Sequence, residues 1–149
     1  LHLEKSLELF PNNNNAINNL ARVYLDENEL DSAFELFHGL ILHSPDYELA
    51  IENMKLLGWK AFDEQNYKLA EKAAKSLLKT DDKEVAHLEL MAAIKINQGQ
   101  LANAIGYMEE ILKSSPKNEL IIQNLFLANK ELGDTIQAKK YQQLLQALN

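Results

Sequence analysis

The sequence contains no cysteine, which excludes disulfide bonds and thiolate metal ligands. It has only three prolines and five glycines, and its longest unbroken aliphatic runs are three residues, far below the roughly 18 of a membrane span. Positive charge is also scarce, with 15 Lys and Arg against 22 Asp and Glu. The net charge of −7 disfavours phosphate-rich partners. We therefore expect neither membrane insertion nor nucleic-acid binding, whereas the compartment, cytoplasm or periplasm, stays open.

What the chain does contain is a repeat of about 34 residues. Three series of positions keep the same phase: alanines at spacings of 37, 34 and 34, an apolar series 13 residues earlier, and a series at the unit ends. In that order they are Ala33, Ala70, Ala104 and Ala138; Leu20, Leu57, Met91 and Leu125; Pro11, Pro45, Asp82 and Pro116. Such a repeat predicts stacked helical units, which present a long surface and not a catalytic pocket.

Four windows of this period cover most of the chain, at residues 14–47, 51–84, 85–118 and 119–149. Each has the apolar spacing of two helices. Residues 48–50 fall outside the period and predict one extra turn at the front of the next helix. Residues 1–13 match only the second half of a unit. We therefore expect a single domain that forms the C-terminal portion of a longer array.

The turn inside each window predicts a residue in the left-handed conformation. Gly99 and Gly133 suit that place, and in the first two windows we assign it to Asn28 and Asn66. At the junction between the second and third windows, where proline is missing, Asp81-Asp82 is expected to end one helix and cap the next.

The repeat resembles the tetratricopeptide repeat family, in which a 34-residue helix–turn–helix unit recurs. The resemblance covers the whole chain and is carried by residues in all four windows: Leu20-Ala21, Tyr24, Ala33, Phe37 and Pro45; Leu57-Gly58, Tyr67 and Ala70; Gly99, Ala104 and Pro116; Gly133-Asp134 and Ala138. It implies an all-α solenoid, a right-handed superhelix whose first helices line a concave groove. It also implies a non-catalytic scaffold without a cofactor, which binds a peptide or an amphipathic helix of another protein.

Under that resemblance, the groove is lined by the outward-facing residues of the first helices. They are Asn15, Asn19, Arg22, Lys55, Leu56, Trp59, Leu90, Asn124 and Leu127. Four of them give apolar contact, and the polar ones fix the orientation of the partner. Truncating Trp59, the only tryptophan, is expected to cost roughly 2–4 kcal/mol of affinity. The alternative is that Trp59 is a core residue, packed under the extra turn of residues 48–50 or against the preceding repeat.

Other specialised sites are disfavoured. The carboxylate clamp by which some family members grip heat-shock chaperones requires lysine, asparagine and arginine, whereas the matching places here hold Asn18, Arg22, Leu56, Ala86 and Leu90. The asparagine run 12–15 is best interpreted as a loop with a helix cap. None of the four histidines has a partner at metal-ligand spacing, and no nucleophile or phosphate-loop motif is present.

Two further hypotheses stay open. One is that the repeats serve as the regulatory or substrate-selecting arm of a larger enzyme, and the other is that the chain self-associates through an N-terminal edge formed by Leu1, Leu3 and Leu7. RNA binding is a weaker alternative because the chain is acidic. The Asn- and Lys-rich composition favours a bacterial origin.

Overall fold

Eight α-helices make up most of residues 13–149, the part of the chain that the computed structural model describes, and those residues contain no β-strand. The helices are α1 (Asn14–Asp26), α2 (Leu30–His43), α3 (Glu48–Asp63), α4 (Tyr67–Thr80), α5 (Val85–Asn97), α6 (Leu101–Ser114), α7 (Glu119–Leu132) and α8 (Thr135–Ala147). The all-α prediction is confirmed. The chain divides into two compact units between Asp81 and Asp82, so that α1–α4 belong to the first and α5–α8 to the second.

Each predicted window holds one helical hairpin. A turn of two or three residues joins the two helices of a hairpin, and these two helices are in contact in every window. So short a connection makes neighbouring helices antiparallel. In the first unit α3 also contacts α1 and α2, and α2 contacts α4; in the second unit α6 also contacts α7.

The turn of every hairpin contains one residue in the left-handed conformation, always at the same place in the repeat. These residues are Asn28 (φ 64°), Gln65 (φ 62°), Gly99 (φ 72°) and Gly133 (φ 80°). The predictions for Asn28 and the two glycines are confirmed, but Asn66 was the wrong choice for the second hairpin. Its side chain is instead the N-cap of α4 and accepts a hydrogen bond from the Leu69 amide at 3.3 Å, a role that suits asparagine.

Helix ends follow the predicted signals with one exception. The Asn13 side chain accepts a hydrogen bond from the Ala16 amide at 3.1 Å, so the cap interpretation of the asparagine run is confirmed there. Asn14 and Asn15 are not loop residues but the first two residues of α1, and Asn12 lies outside the described residues. Asp81 ends α4, but α5 is preceded by Glu84 at its N-cap. The prediction that Asp82 caps α5 is therefore wrong, since two more residues separate it from the helix.

The extra turn predicted from residues 48–50 is confirmed. Helix α3 begins at Glu48 and is 16 residues long, whereas α1, α5 and α7 have 13 or 14. The three added residues are good helix formers and extend α3 at its N-terminal end. One of them, Leu49, is exposed to solvent.

The in-phase alanines and apolar residues of the sequence repeat are core residues. Ala33, Ala70 and Ala104 are completely buried, as are Leu57 and Leu125, and Ala138 is nearly so. In the second unit the buried Tyr141 hydroxyl donates a hydrogen bond to Glu109 at 3.1 Å. Burial, together with the neighbouring Glu109 carboxylate, raises the pKa of Tyr141 to about 12.

Candidate functional site

Helices α1 and α3 of the first unit run parallel and side by side. The Asn53 amide donates to the Asn18 side-chain oxygen at 3.1 Å, and the Lys60 ammonium donates to the Leu25 carbonyl at 3.1 Å. The two contacts join residues with the same separation of 35 positions, and they lie seven residues apart along each helix. Because the separation is constant over two turns, the N-termini of α1 and α3 lie together at one end of the pair and their C-termini lie together at the other.

Polar side chains of α1 and α3 form hydrogen bonds with one another where the two helices meet. Asn18 and Asn53 are buried, and the Asn53 oxygen accepts a hydrogen bond from the Arg22 guanidinium at 2.7 Å. The same guanidinium lies 3.6 Å from the Asp26 carboxylate. Arg22 is therefore held in place by two partners, which lowers the entropy it loses when a ligand binds.

The predicted residues of α1 share one face of the helix. Asn15, Asn19 and Arg22 follow one another at spacings of four and three and all are exposed. The Asn15 side-chain oxygen already accepts a hydrogen bond from the Tyr47 hydroxyl at 2.6 Å. Its amide nitrogen remains available as a donor to a partner.

The predicted residues of α3 add an apolar patch beside that polar row. Leu56 is 53% exposed and Trp59 is 38% exposed. The Trp59 ring makes an edge contact with Phe62 at a centroid distance of 5.5 Å, so it is supported on one side while part of it remains exposed. Lys55 forms a 2.8 Å ion pair with Glu52. The Trp59 side chain is therefore partly covered and partly exposed, and its role in binding stays a prediction.

We call the six exposed or half-exposed residues of these two helices the α1–α3 face. They are Asn15, Asn19, Arg22, Lys55, Leu56 and Trp59. Sequence reasoning selected all six because the helical period separates outward positions from the buried stripe. It gave no role to Asn53, whose amide links Arg22 to Asn18, because a contact between neighbouring repeats leaves no trace in the period of one helix.

Three of the predicted groove residues, Leu90, Asn124 and Leu127, belong to the second unit. On α7, Leu127 is 50% exposed and Asn124 is half-buried. Leu90 of α5 differs from the prediction: it is 1% exposed, and a partner has no access to its side chain. The reason is that α5 is buried on several sides, with His87 and Met91 also inaccessible, so the helix lacks the single apolar stripe on which the assignment depended.

Within residues 13–149, no three His, Asp or Glu side chains come together as a metal site. None of the helices in that segment combines the length and the apolar character needed to cross a bilayer.

The fold matches that of known proteins, although no family model and no curated protein matches the sequence. A crystal structure of MamA aligns with a TM-score of 0.70 at 19% identity, over 98% of this chain and 84% of that one. MamA AMB-1 gives 0.71 at 16%, over 98% and 78%. MamA from Desulfovibrio magneticus gives 0.65 at 16%, over 98% and 81%. MamA is a tetratricopeptide-like protein. The chain therefore has the tetratricopeptide-repeat fold, an α-solenoid of helix–turn–helix units, and the resemblance inferred from its sequence is confirmed for the fold.

Proposed function

We propose that the chain is a non-catalytic protein-binding scaffold, and that the α1–α3 face docks an extended or helical segment of another protein. The exposed Leu56–Trp59 patch beside fixed polar groups is the observation that carries this proposal. Half-exposed tryptophans are characteristic anchors of protein interfaces, where burial on binding removes a large apolar area from water.

The residues of the α1–α3 face have different proposed roles in binding. Leu56 and Trp59 supply apolar contact, while Asn15 and Asn19 offer amide groups that pair with a peptide backbone. Arg22 and Lys55 are held by carboxylates on their own helices, so they fix orientation more than they add affinity. In the second unit we propose Leu127 and Asn124 as a further contact area that belongs to that unit.

Replacement of Trp59 by alanine tests the proposal. We expect Trp59→Ala to weaken partner binding by roughly 2 kcal/mol or more, about 30-fold. The free energy of unfolding should fall much less than for a core tryptophan, because part of the ring already faces solvent. Affinity capture with the intact chain identifies the partner, and titration calorimetry then compares the native chain with the variant.

The matched control is Ile136→Ala, which truncates a more exposed apolar side chain, 79% accessible, outside the proposed face. This variant should bind as the native chain does. Equal binding by Trp59→Ala and native protein, or a large loss of stability in Trp59→Ala, contradicts the proposed role.

Two outcomes of the same capture favour a different function. Recovery of a catalytic partner or domain indicates the regulatory arm of an enzyme. Recovery of the chain itself, with a mass that rises with concentration in sedimentation, indicates self-association. The edge first suggested for it, Leu1, Leu3 and Leu7, lies outside the described residues.

A further inference from the structure

We infer that the α1–α3 face takes a basic amphipathic segment, whose apolar side chains contact Leu56 and Trp59 while its lysines or arginines meet carboxylates at the ends of the two helices. This inference rests on the proposed function and adds the charge of the partner to it.

Each helix of the face ends in an acidic pair at the same place in the repeat. Helix α1 ends in Asp26-Glu27 and α3 in Asp63-Glu64, with Glu27 and Glu64 as the C-caps. Because the two helices run parallel, both pairs lie at the same end of the face. Leu56, Trp59 and Asp63 follow one another at spacings of three and four, so the apolar anchors and a carboxylate share one side of α3.

This placement is unfavourable for the helices themselves. The C-terminal end of a helix carries partial negative charge, and carboxylates there are repelled by it. The turn does not require an acidic pair, because the equivalent positions of the second unit hold Asn97-Gln98, which has no carboxylate, and Glu131-Leu132, which has one. A locally disfavoured choice that occurs twice on one face is expected where function demands it.

Of these four carboxylates, only Asp26 has a cation of α1 or α3 as a partner. Arg22 is bonded to Asn53 and lies near Asp26, Lys55 pairs with Glu52, and Lys60 donates to a main-chain carbonyl. All three therefore have partners within the first unit.

The remaining carboxylates are open to an external partner. Among residues 13–149, no lysine or arginine lies within 4.0 Å of Glu27, Asp63 or Glu64. Residues 13–81 contain seven Lys and Arg against twelve Asp and Glu, a net charge of −5, whereas residues 82–149 have seven against eight, a net charge of −1. The charge that a ligand meets beside the apolar patch is therefore negative, and a cationic ligand complements it.

The test uses a pair of synthetic peptides. One carries leucines on one helical face and lysines on the other, and its twin has glutamates in place of the lysines. At low salt we expect the native chain to bind the lysine peptide and not its twin. The double variant Glu27→Gln/Glu64→Gln should bind the lysine peptide roughly five- to tenfold more weakly, with the difference shrinking at high salt.

The control Asp46→Asn/Glu48→Gln removes the same charge from exposed carboxylates elsewhere in the unit, and we expect less than about a twofold change. Stability gives an independent readout with opposite signs. Loss of carboxylates at helix C-termini should raise the midpoint of urea unfolding, while loss of Glu48, in the first turn of α3, should lower it.

The outcomes separate this inference from the proposed function. Equal affinity for the two peptides, no binding of the lysine peptide, or no effect of Glu27→Gln/Glu64→Gln overturns the basic-segment inference. If any of these three results is found and Trp59→Ala nevertheless fails to bind the captured partner, the proposal that the α1–α3 face docks a protein is retained. If Trp59→Ala has no effect on any ligand while charge discrimination persists, the apolar part of the proposed function fails instead.

Discussion

Ala104→Glu is expected to unfold the second unit. Ala104 lies in α6 with no accessible surface, so a glutamate there brings both extra volume and a carboxylate without a partner. An uncompensated buried charge costs about 3–5 kcal/mol, and overpacking adds about 1–3 kcal/mol. Since whole domains are stable by only about 5–15 kcal/mol, urea denaturation followed by circular dichroism should show the loss of a large part of the helical signal.

Ala102→Glu provides the matched control for this prediction. Ala102 is exposed on the same helix, so the same charge and volume are added where water accommodates them, and the change should stay within about 0.5 kcal/mol. Similar stability of the two variants would mean that the alanine series does not mark the packed side of the second helices, and the repeat register would be wrong.

Leu57→Ala is expected to lower the free energy of unfolding by about 2–5 kcal/mol. Leu57 is completely buried in α3, and its truncation removes apolar contact and leaves a cavity that the neighbouring helices fill only partly. Chemical denaturation with tryptophan fluorescence is a convenient measurement, since Trp59 lies on the same helix.

The adjacent leucine makes this prediction discriminating. Leu56 is 53% exposed, so Leu56→Ala should change stability by no more than about 0.5 kcal/mol while it weakens partner binding. A large loss of stability from both substitutions would show that Leu56 is a core residue and would remove it from the α1–α3 face.

Much of the fold follows from the sequence because it depends on short-range physics. The phase of Ala33, Ala70 and Ala104 marks the packed positions, and residues 48–50 predict the extra turn of α3 because three helix formers before a helix extend it. The left-handed position in the second hairpin was missed for a specific reason. Asparagine adopts that conformation more readily than glutamine. Asn66, however, is the N-cap of α4, and the left-handed residue of the turn is Gln65.

The candidate site is less accessible to sequence reasoning because it depends on contacts between repeats. Outward positions such as Leu56 and Trp59 follow from the period of α3 alone. The burial of Leu90 does not, since it is set by what packs around α5. Nor does the Asn18–Asn53–Arg22 network, whose members belong to different helices.

Site-specific photo-crosslinking tests the central claim, that the α1–α3 face contacts the partner, most directly. A photoreactive residue is placed at Leu56, and in a separate protein at Ile136, which is 79% exposed. We predict that the captured partner crosslinks from position 56 and not from position 136. Crosslinking from position 136 with none from position 56 would place the partner on a different surface and contradict the proposed function.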